Sequence, residues 1–442
     1  MNKLITVREY ERINKNSRFD GGDKQLGEKN FAELKFFVEK YNELYSKSED
    51  TDDVFNVFQV GTNSDGEYVK SKNYVCLIQL KNGVKIQILP KVDFDDGDDK
   101  DNKKTINIFI KMLKTLKKFS FKVFNNADLK IHDNNIYEVF IGMYLQQVLY
   151  LVKKGLKSDY NHVEENGNFY KGKLDFNNHI KYNYAHKEKF YIIYDEFTEN
   201  RAENRLIKTT LLKLLRLSAS ETNLKLCRQL LINFENIDVS QDVDKDFNSV
   251  KSDRNTIDYS QVLIWTKVFL KNQSFTSFEG NTGALALLFP MENLFESYIA
   301  TVVKSVFSED YNVSCQDKGL YLLNENGKKI FALRPDIVLT KKSAEKAKII
   351  MDTKWKRLTN NRSANYGISQ ADMYQMYAYA KEYNSNSVYV LYPKVKEFDD
   401  NSQITFNNGD IKIRIFFIEF QSKNERQPIE KSIESLKMDL IN

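Results

Sequence analysis

The spacing of apolar and polar positions changes along the 442-residue chain, and each change marks a different kind of element. The segment FAELKFFVEKYNELY at 31–45 repeats every three to four positions, which predicts an amphipathic helix. Beyond the polar run 46–53 the period shortens to two in VFNVFQV (54–60), YVCLIQL (74–80) and VKIQIL (84–89). Asn82-Gly83 lies between the last two runs, and Asn-Gly between alternating runs is a hairpin signal; Pro90 closes the strand. Residues 1–104 therefore read as a β-rich domain. The acidic stretch DFDDGDDKDNKK (93–104) lacks the Gly and Glu register of a calcium loop and reads as a solvated linker. Helical periods return at 105–118, 136–154 and 202–218, with a polar, aromatic-containing stretch at 157–200, so 105–271 reads as a helical connector. Ser, Thr, Asn and Gly accumulate at 272–283, and the last segment, 272–442, alternates. A helix at 285–307 precedes strands at 319–324, 330–339 and 348–354, a helix at 369–384, and strands at 387–392 and 411–420. The fold class is α+β and multidomain.

Composition narrows this picture without changing it. Hydrophobic residues make up 41% and charged residues 29%, and 30 Phe and 25 Tyr argue for packed cores in a chain too long for one. A formal charge of +5 is compatible with a polyanionic partner without requiring one. Three distant cysteines and four scattered histidines offer neither a disulfide framework nor a zinc site, which suits a reducing cytosol. Met1–Arg8 lacks the long apolar stretch of a signal peptide, and there is no apolar run of bilayer length, so the expectation is a cytoplasmic protein without a membrane partner.

Two acids interrupt otherwise apolar strands. Asp336 follows Pro335 in LRPDIVLT, and Asp352 sits near the end of KIIMDTKWK with Lys354 two positions later. Period two puts Asp352 and Lys354 on one strand face. If the two strands are neighbours, two carboxylates and an ammonium converge. Burying ionised carboxylates alone is costly, and a divalent cation relieves that cost. Phosphodiester hydrolysis needs such a cation to offset phosphate charge and activate a water, so Asp336 and Asp352 are candidate Mg2+ ligands, with Mn2+ as the substitute. Lys354 is placed to orient the water or stabilise the transition state.

This Pro-Asp and Asp-x-Lys pattern resembles the PD-(D/E)xK nuclease superfamily, which implies a core with a mixed sheet in α-β-β-β-α-β order. In SQADMYQMYAYA, Gln375 and Tyr379 are four apart and resemble that superfamily's Q-x-x-x-Y element; the alternative is a core tyrosine beside a capping glutamine. In FPMENLFESYIA, Glu292 and Glu296 share a helix face, and Glu296 resembles the helix-borne acid that completes the metal shell; the alternative is an exposed acidic face. Arg334 and Lys356 are either phosphate contacts or surface charge. The stretch Gly167–Lys173 matches a P-loop until Leu174 replaces the Mg2+-ligating hydroxyl, so no nucleotide site is expected in this chain. Asp195, Glu196, Glu199 and Glu203 read as acids at a helix N-terminus.

Taken in order, GVKIQILPKV (83–92), KKGLKSDY (153–160), KGKLDF (171–176), DEFTENRAENRLIK (195–208), MENLFESY (291–298), RPDIVL, MDTKWK and DMYQMYAYA (372–380) resemble the McrC family, the nuclease subunit of McrBC-type restriction systems. The resemblance implies a hexameric AAA+ GTPase partner, McrB-like, that recognises modified cytosine in double-stranded DNA. It further implies that this chain docks its β-rich N-terminal region on the partner, stimulates GTP hydrolysis and cuts. A motor that reads unmodified sequence, and an inactive assembly adaptor, are the alternatives.

Overall fold

The computed structural model describes residues 4–16, 24–45, 58–64, 66–80, 84–92, 102–116, 136–250, 257–271, 285–317, 319–326, 328–343, 348–398, 404–420 and 428–441. It divides into two compact units: Met1–Ser120 together with Asn281–Asn442, and Phe121–Gly280. The architecture is mixed α and β with several sheets.

The first unit opens with β1 (Leu4–Arg8), β2 (Arg12–Asn16), β3 (Gln25–Gly27), α1 (Glu28–Tyr45), β4 (Phe58–Asn63), β5 (Gly66–Ser71), β6 (Tyr74–Gln79), β7 (Lys85–Leu89) and α2 (Lys103–Leu113). One sheet runs β3-β2-β5-β4. In the other, β7 lies between β1, to which it is parallel, and antiparallel β6. All five residues of β7 are buried, Lys85 and Gln87 included, as befits a strand covered on both faces. Gln87 Nε2 donates to Thr6 Oγ1 at 2.8 Å, so this buried amide is not left bare. The expected Asn82-Gly83 turn, residues 54–57, most of the acidic linker (93–101) and the break at 272–283 lie outside the described residues.

The second unit comprises α3 (Ile136–Lys154), β8 (Asp159–Gly167), β9 (Lys173–Leu174), α4 (Phe176–Asn183), β10 (Phe190–Thr198), α5 (Ala202–Leu217), α6 (Glu221–Ile232), α7 (Val243–Ser249) and α8 (Ile257–Lys271). The stretch 157–200 is not merely connecting: it forms a three-stranded antiparallel sheet, β8-β10-β9, whose residues are mostly exposed. Phe169, Tyr184 and Tyr160 stand 85%, 87% and 70% exposed. Its base is fixed by Asn204, whose Nδ2 donates to Lys157 O (3.1 Å) and Glu199 O (2.8 Å), while Tyr259 OH donates to Asn204 Oδ1 and accepts from Lys157 N. The P-loop-like segment runs from β8 to β9, and α4, which starts beyond it at Phe176, has its first amides occupied by the Asp175 carboxylate rather than open to a phosphate. Gly172 has φ +69°, and a Cβ there would meet Ile193 O at 2.4 Å, so glycine allows the loop to press against β10. The acids divide differently from expectation. Asp195 and Glu196 lie on exposed β10, where Asp195 pairs with His162, and only Glu203 is in the first turn of α5.

The chain then returns to the first unit as β11 (Leu285–Pro290), α9 (Met291–Phe307), β12 (Tyr311–Cys315), β13 (Tyr321–Glu325), β14 (Lys328–Ala332), β15 (Ile337–Lys341), β16 (Lys348–Thr353), a 3-10 turn (Arg362–Gly367), α10 (Gln370–Glu382), β17 (Ser387–Pro393), β18 (Ile404–Asn408), β19 (Ile411–Ile418) and α11 (Pro428–Ile441). The expected helix at 285–307 starts only at Met291. Residues 285–290 are instead a strand that pairs with β6 and extends the N-terminal sheet to β1-β7-β6-β11. The expected strand 330–339 is two strands, because Pro335 has no N–H for a ladder and Phe331 takes φ 55°. The second sheet of this segment runs β12-β15-β16-β17-β19-β18 and is mixed, with β16, β17 and β19 parallel and the remaining pairs antiparallel. On one face, α10 packs Met376, Tyr379 and Ala380 against Ile350, Val388, Val390 and Ile413. Helix α9, burying Leu294, Phe295, Tyr298, Ile299, Val302 and Val303, packs with α11 and touches β16.

Candidate active site

The antiparallel register of β15 and β16 sets Ile337 opposite Met351, so the next step outward brings Asp336 beside Asp352 at the end of the ladder. Pro335 ends the preceding segment and leaves Asp336 in a bend, where its carbonyl accepts from Gln316 N–H at 2.8 Å. Its Oδ2 accepts two hydrogen bonds from Thr353, from the backbone N–H and from Oγ1, both 2.7 Å. Thr353 therefore fixes the orientation of one acid from between the other acid and the lysine. The sequence reading missed it, although a hydroxyl between Asp and Lys in MDTK was the available signal.

Asp352 is 2% exposed. Its Oδ2 lies 2.9 Å from Lys354 Nζ, an ion contact, and is otherwise without a hydrogen-bond donor although fully buried. Burial pushes the Asp352 carboxyl up to about 7, the charge of Asp336 adds to the rise, and Lys354 opposes it. Burial likewise raises Asp336, against the two Thr353 bonds and Lys354. Burial works to lower the Lys354 ammonium, but Asp352, Asp372 and Asp336 together raise it.

Helix α10 begins at Ser369, whose Oγ accepts from Asp372 N–H. One turn on, Gln375 Oε1 accepts from Lys354 Nζ (3.1 Å), and Gln375 Nε2 donates to Tyr379 OH (2.8 Å), which in turn donates to Arg334 O (3.1 Å). Tyr379 is a core residue, and Gln375, in the interior of α10, caps no helix end but links Tyr379 to Lys354. Asp372 faces two lysines, Lys356 at 2.7 Å and Lys354 at 3.9 Å. Lys356 is thus occupied, while Arg334 remains exposed next to the site.

Glu296, on α9, faces the same region, whereas Glu292 one turn earlier accepts from Asn73 Nδ2 (2.7 Å) and belongs to another contact. Burial and the charge of Asp336 push Glu296 up to about 7; a 2.8 Å bond from Gln316 Nε2 and the charge of Lys354 work against this. Among the described residues no three His, Cys, Asp or Glu side chains form a ready cluster for an ion. A hard cation such as Mg2+ does not need one, since it commonly takes one or two carboxylates and completes its shell with water and substrate phosphate. Asp336 and Asp352 fit that demand: both are acceptors, Asp352 is buried and Asp336 half-buried, and one buried oxygen of Asp352 has only Lys354 to face. Glu296, tied to Gln316, is within the electrostatic reach of Asp336. Among the described residues no helix is long and apolar enough to cross a membrane.

The backbone has counterparts among solved structures. The chain is similar to a chain of the half-complex refined from a tetradecameric assembly of Thermococcus gammatolerans McrB AAA+ hexamers with bound McrC, with TM-score 0.68 and 19% identity over 99% of this chain and 100% of that one. A chain of the Thermococcus gammatolerans McrBC complex matches with TM-score 0.50 and 23% identity over 68% of this chain and 87% of that one. These likenesses speak for the fold. No curated protein matches the chain in sequence. The family model described as McrBC 5-methylcytosine restriction system component matches residues 69–393, from within β5 to the end of β17, and so includes every acid and the lysine of the site. The chain belongs to the McrBC 5-methylcytosine restriction system component family.

Proposed function

We propose that this chain is the McrC-like nuclease subunit of a modification-dependent restriction system and that its C-terminal six-stranded sheet is a PD-(D/E)xK nuclease core. The observation that carries the reading is the pair of carboxylates, buried Asp352 and half-buried Asp336, at the end of the β15–β16 ladder, with Lys354 2.9 Å from the otherwise unpartnered Asp352 Oδ2. A fold that only needed stability has no use for two like charges pushed together away from water.

In this reading Asp336 and Asp352 hold Mg2+, with Glu296 as the third acid. When bound, the ion offsets charge on the phosphate and lowers the pKa of a water. Thr353 keeps Asp336 turned toward the site. Lys354 points its ammonium at the phosphate or the attacking water, held there by Gln375 and, through it, by Tyr379 and the Arg334 carbonyl. Exposed Arg334 contacts the DNA backbone. Cutting is directed by a separate AAA+ GTPase hexamer, McrB-like, which recognises modified cytosine and whose GTP hydrolysis this chain stimulates; the similar assembly of McrB AAA+ hexamers with bound McrC supports this partner. The cysteines Cys76, Cys227 and Cys315, far apart in sequence, suit the cytoplasm.

The test is the Asp352→Ala chain reconstituted with its motor and modified double-stranded DNA. Mg2+-dependent cleavage is expected to disappear, with partner binding and GTPase stimulation retained. Undiminished cutting would sink the site assignment.

A further inference from the structure

Trp355, the residue after Lys354, is gripped from the opposite end of the chain. Its indole Nε1 donates to the Glu9 carboxylate (3.0 Å to Oε2, 3.2 Å to Oε1), and its backbone carbonyl accepts from Lys91 Nζ (3.2 Å). Lys91 ties the two grips together. Its backbone N–H donates to Glu9 Oε2 (2.9 Å), its Nζ donates to Asn73 Oδ1 (2.8 Å), and it lies over the Tyr10 ring. The arrangement is internal: Glu9 is 3% and Trp355 1% exposed, and the indole packs against Phe295 and Phe420.

A carboxylate buried this deeply is costly to keep. Burial pushes Glu9 up to about 7, with the charge of Glu292 adding slightly, while Lys91 and the bonds from Lys91 N–H and Trp355 oppose the rise. Burial also lowers the Lys91 ammonium, against Glu9 and Glu292. Two apolar residues of similar volume would serve packing alone at less cost. What the two charged groups add is direction, since the Glu9 carboxylate fixes the ring of Trp355 and the Lys91 ammonium its peptide. The preceding peptide is fixed too, because Lys354 N–H donates to Leu391 O on β17 (2.9 Å). The stem of Lys354 therefore leaves a backbone clamped on both sides.

We propose that Glu9 and Lys91 are positioning residues for Lys354, acting through Trp355, so that the N-terminal region, with Glu9 ahead of the family match that begins at residue 69 and Lys91 inside it, completes the nuclease centre. The inference rests on the site reading above and deepens it. Displacing a catalytic group by about 1 Å commonly costs on the order of 100-fold in rate.

The experiment uses the full chain with its AAA+ partner, labelled with fluorotryptophan; Trp355 and Trp265 are its two tryptophans. Glu9→Leu should shift the Trp355 fluorine resonance and lower kcat for cleavage by about 10- to 100-fold with KM little changed. Glu9→Gln, whose amide oxygen still accepts from the indole, should restore most of both. If Glu9→Leu fails to fold, Trp355→Phe removes the same N–H while keeping a ring in the cluster, and the same loss of kcat is expected. Full cleavage by Glu9→Leu or Trp355→Phe, or an unmoved Trp355 resonance in Glu9→Leu, overturns the proposal. Undiminished cleavage by Asp352→Ala in the same assay instead overturns the site reading on which it rests.

Discussion

Replacing Asp352 with Asn should make the metal-free protein more stable while destroying its proposed activity. The carboxyl titrates near 7 in the fold against an ordinary 3.8, chiefly because it is buried. The folded chain then binds this proton more tightly than the unfolded chain does. Its stabilising effect is complete below about pH 4 and is lost as pH rises through 7. At about 1.4 kcal/mol per pH unit of separation, the ionised carboxylate costs the fold roughly 2–4 kcal/mol at pH 8; the lower figure allows for repulsion shared with Asp336. Asparagine keeps the shape and carries no charge. Urea unfolding, followed at Trp355 in a fluorotryptophan-labelled chain so that Trp265 in the other unit does not interfere, should show a higher midpoint for Asp352→Asn at pH 8 and no gain near pH 4. Mg2+ should raise the wild-type midpoint at pH 8 and leave that of the variant unmoved. An unchanged or lowered midpoint at pH 8 refutes the claim that the fold carries this charge at a cost.

Thr353→Val removes the Oγ1 bond to Asp336 and little else, so the Mg2+ concentration giving half-maximal cleavage should rise by about 10-fold; an unchanged Mg2+ titration contradicts the orienting role. Gln375→Ala leaves Lys354 with only its acidic partners, and single-turnover cleavage should slow by about 10-fold, whereas a rate within twofold of wild type would show that Gln375 is dispensable. Deleting 74–92 to test motor docking should instead yield an unfolded first unit, visible as lost near-ultraviolet circular dichroism, because β6 and β7 occupy the centre of the β1-β7-β6-β11 sheet; a folded deletion product contradicts this.

Legibility followed the range of the forces involved. Helices α3 and α5 were readable nearly to their ends, because an apolar face repeated over four or five turns is a local property. Asp336, Asp352 and Lys354 were readable because charge inside an apolar strand is conspicuous without a partner in view. Residues 285–290 were misread as the start of a helix because LALLFP is apolar throughout and its strand partner, β6, lies some two hundred positions away. The exposed sheet at 157–200 escaped for the opposite reason: with neither face buried, β8 shows no alternation to read. Trp355 looked like an ordinary core aromatic, and nothing near Glu9 in sequence reveals that its carboxylate faces an indole 346 positions on.

The pairing of β11 with β6 has a consequence for how the protein is made. A ribosome delivers Tyr74–Gln79 long before Leu285–Pro290, so the first sheet waits, with one long edge open, until residues 121–280 have emerged and begun to fold as their own unit. Asp336, just before β15, Asp352 on β16 and Lys354, just after it, come later still. A nascent chain that stops short of residue 354 therefore lacks the group formed by Asp336, Asp352 and Lys354.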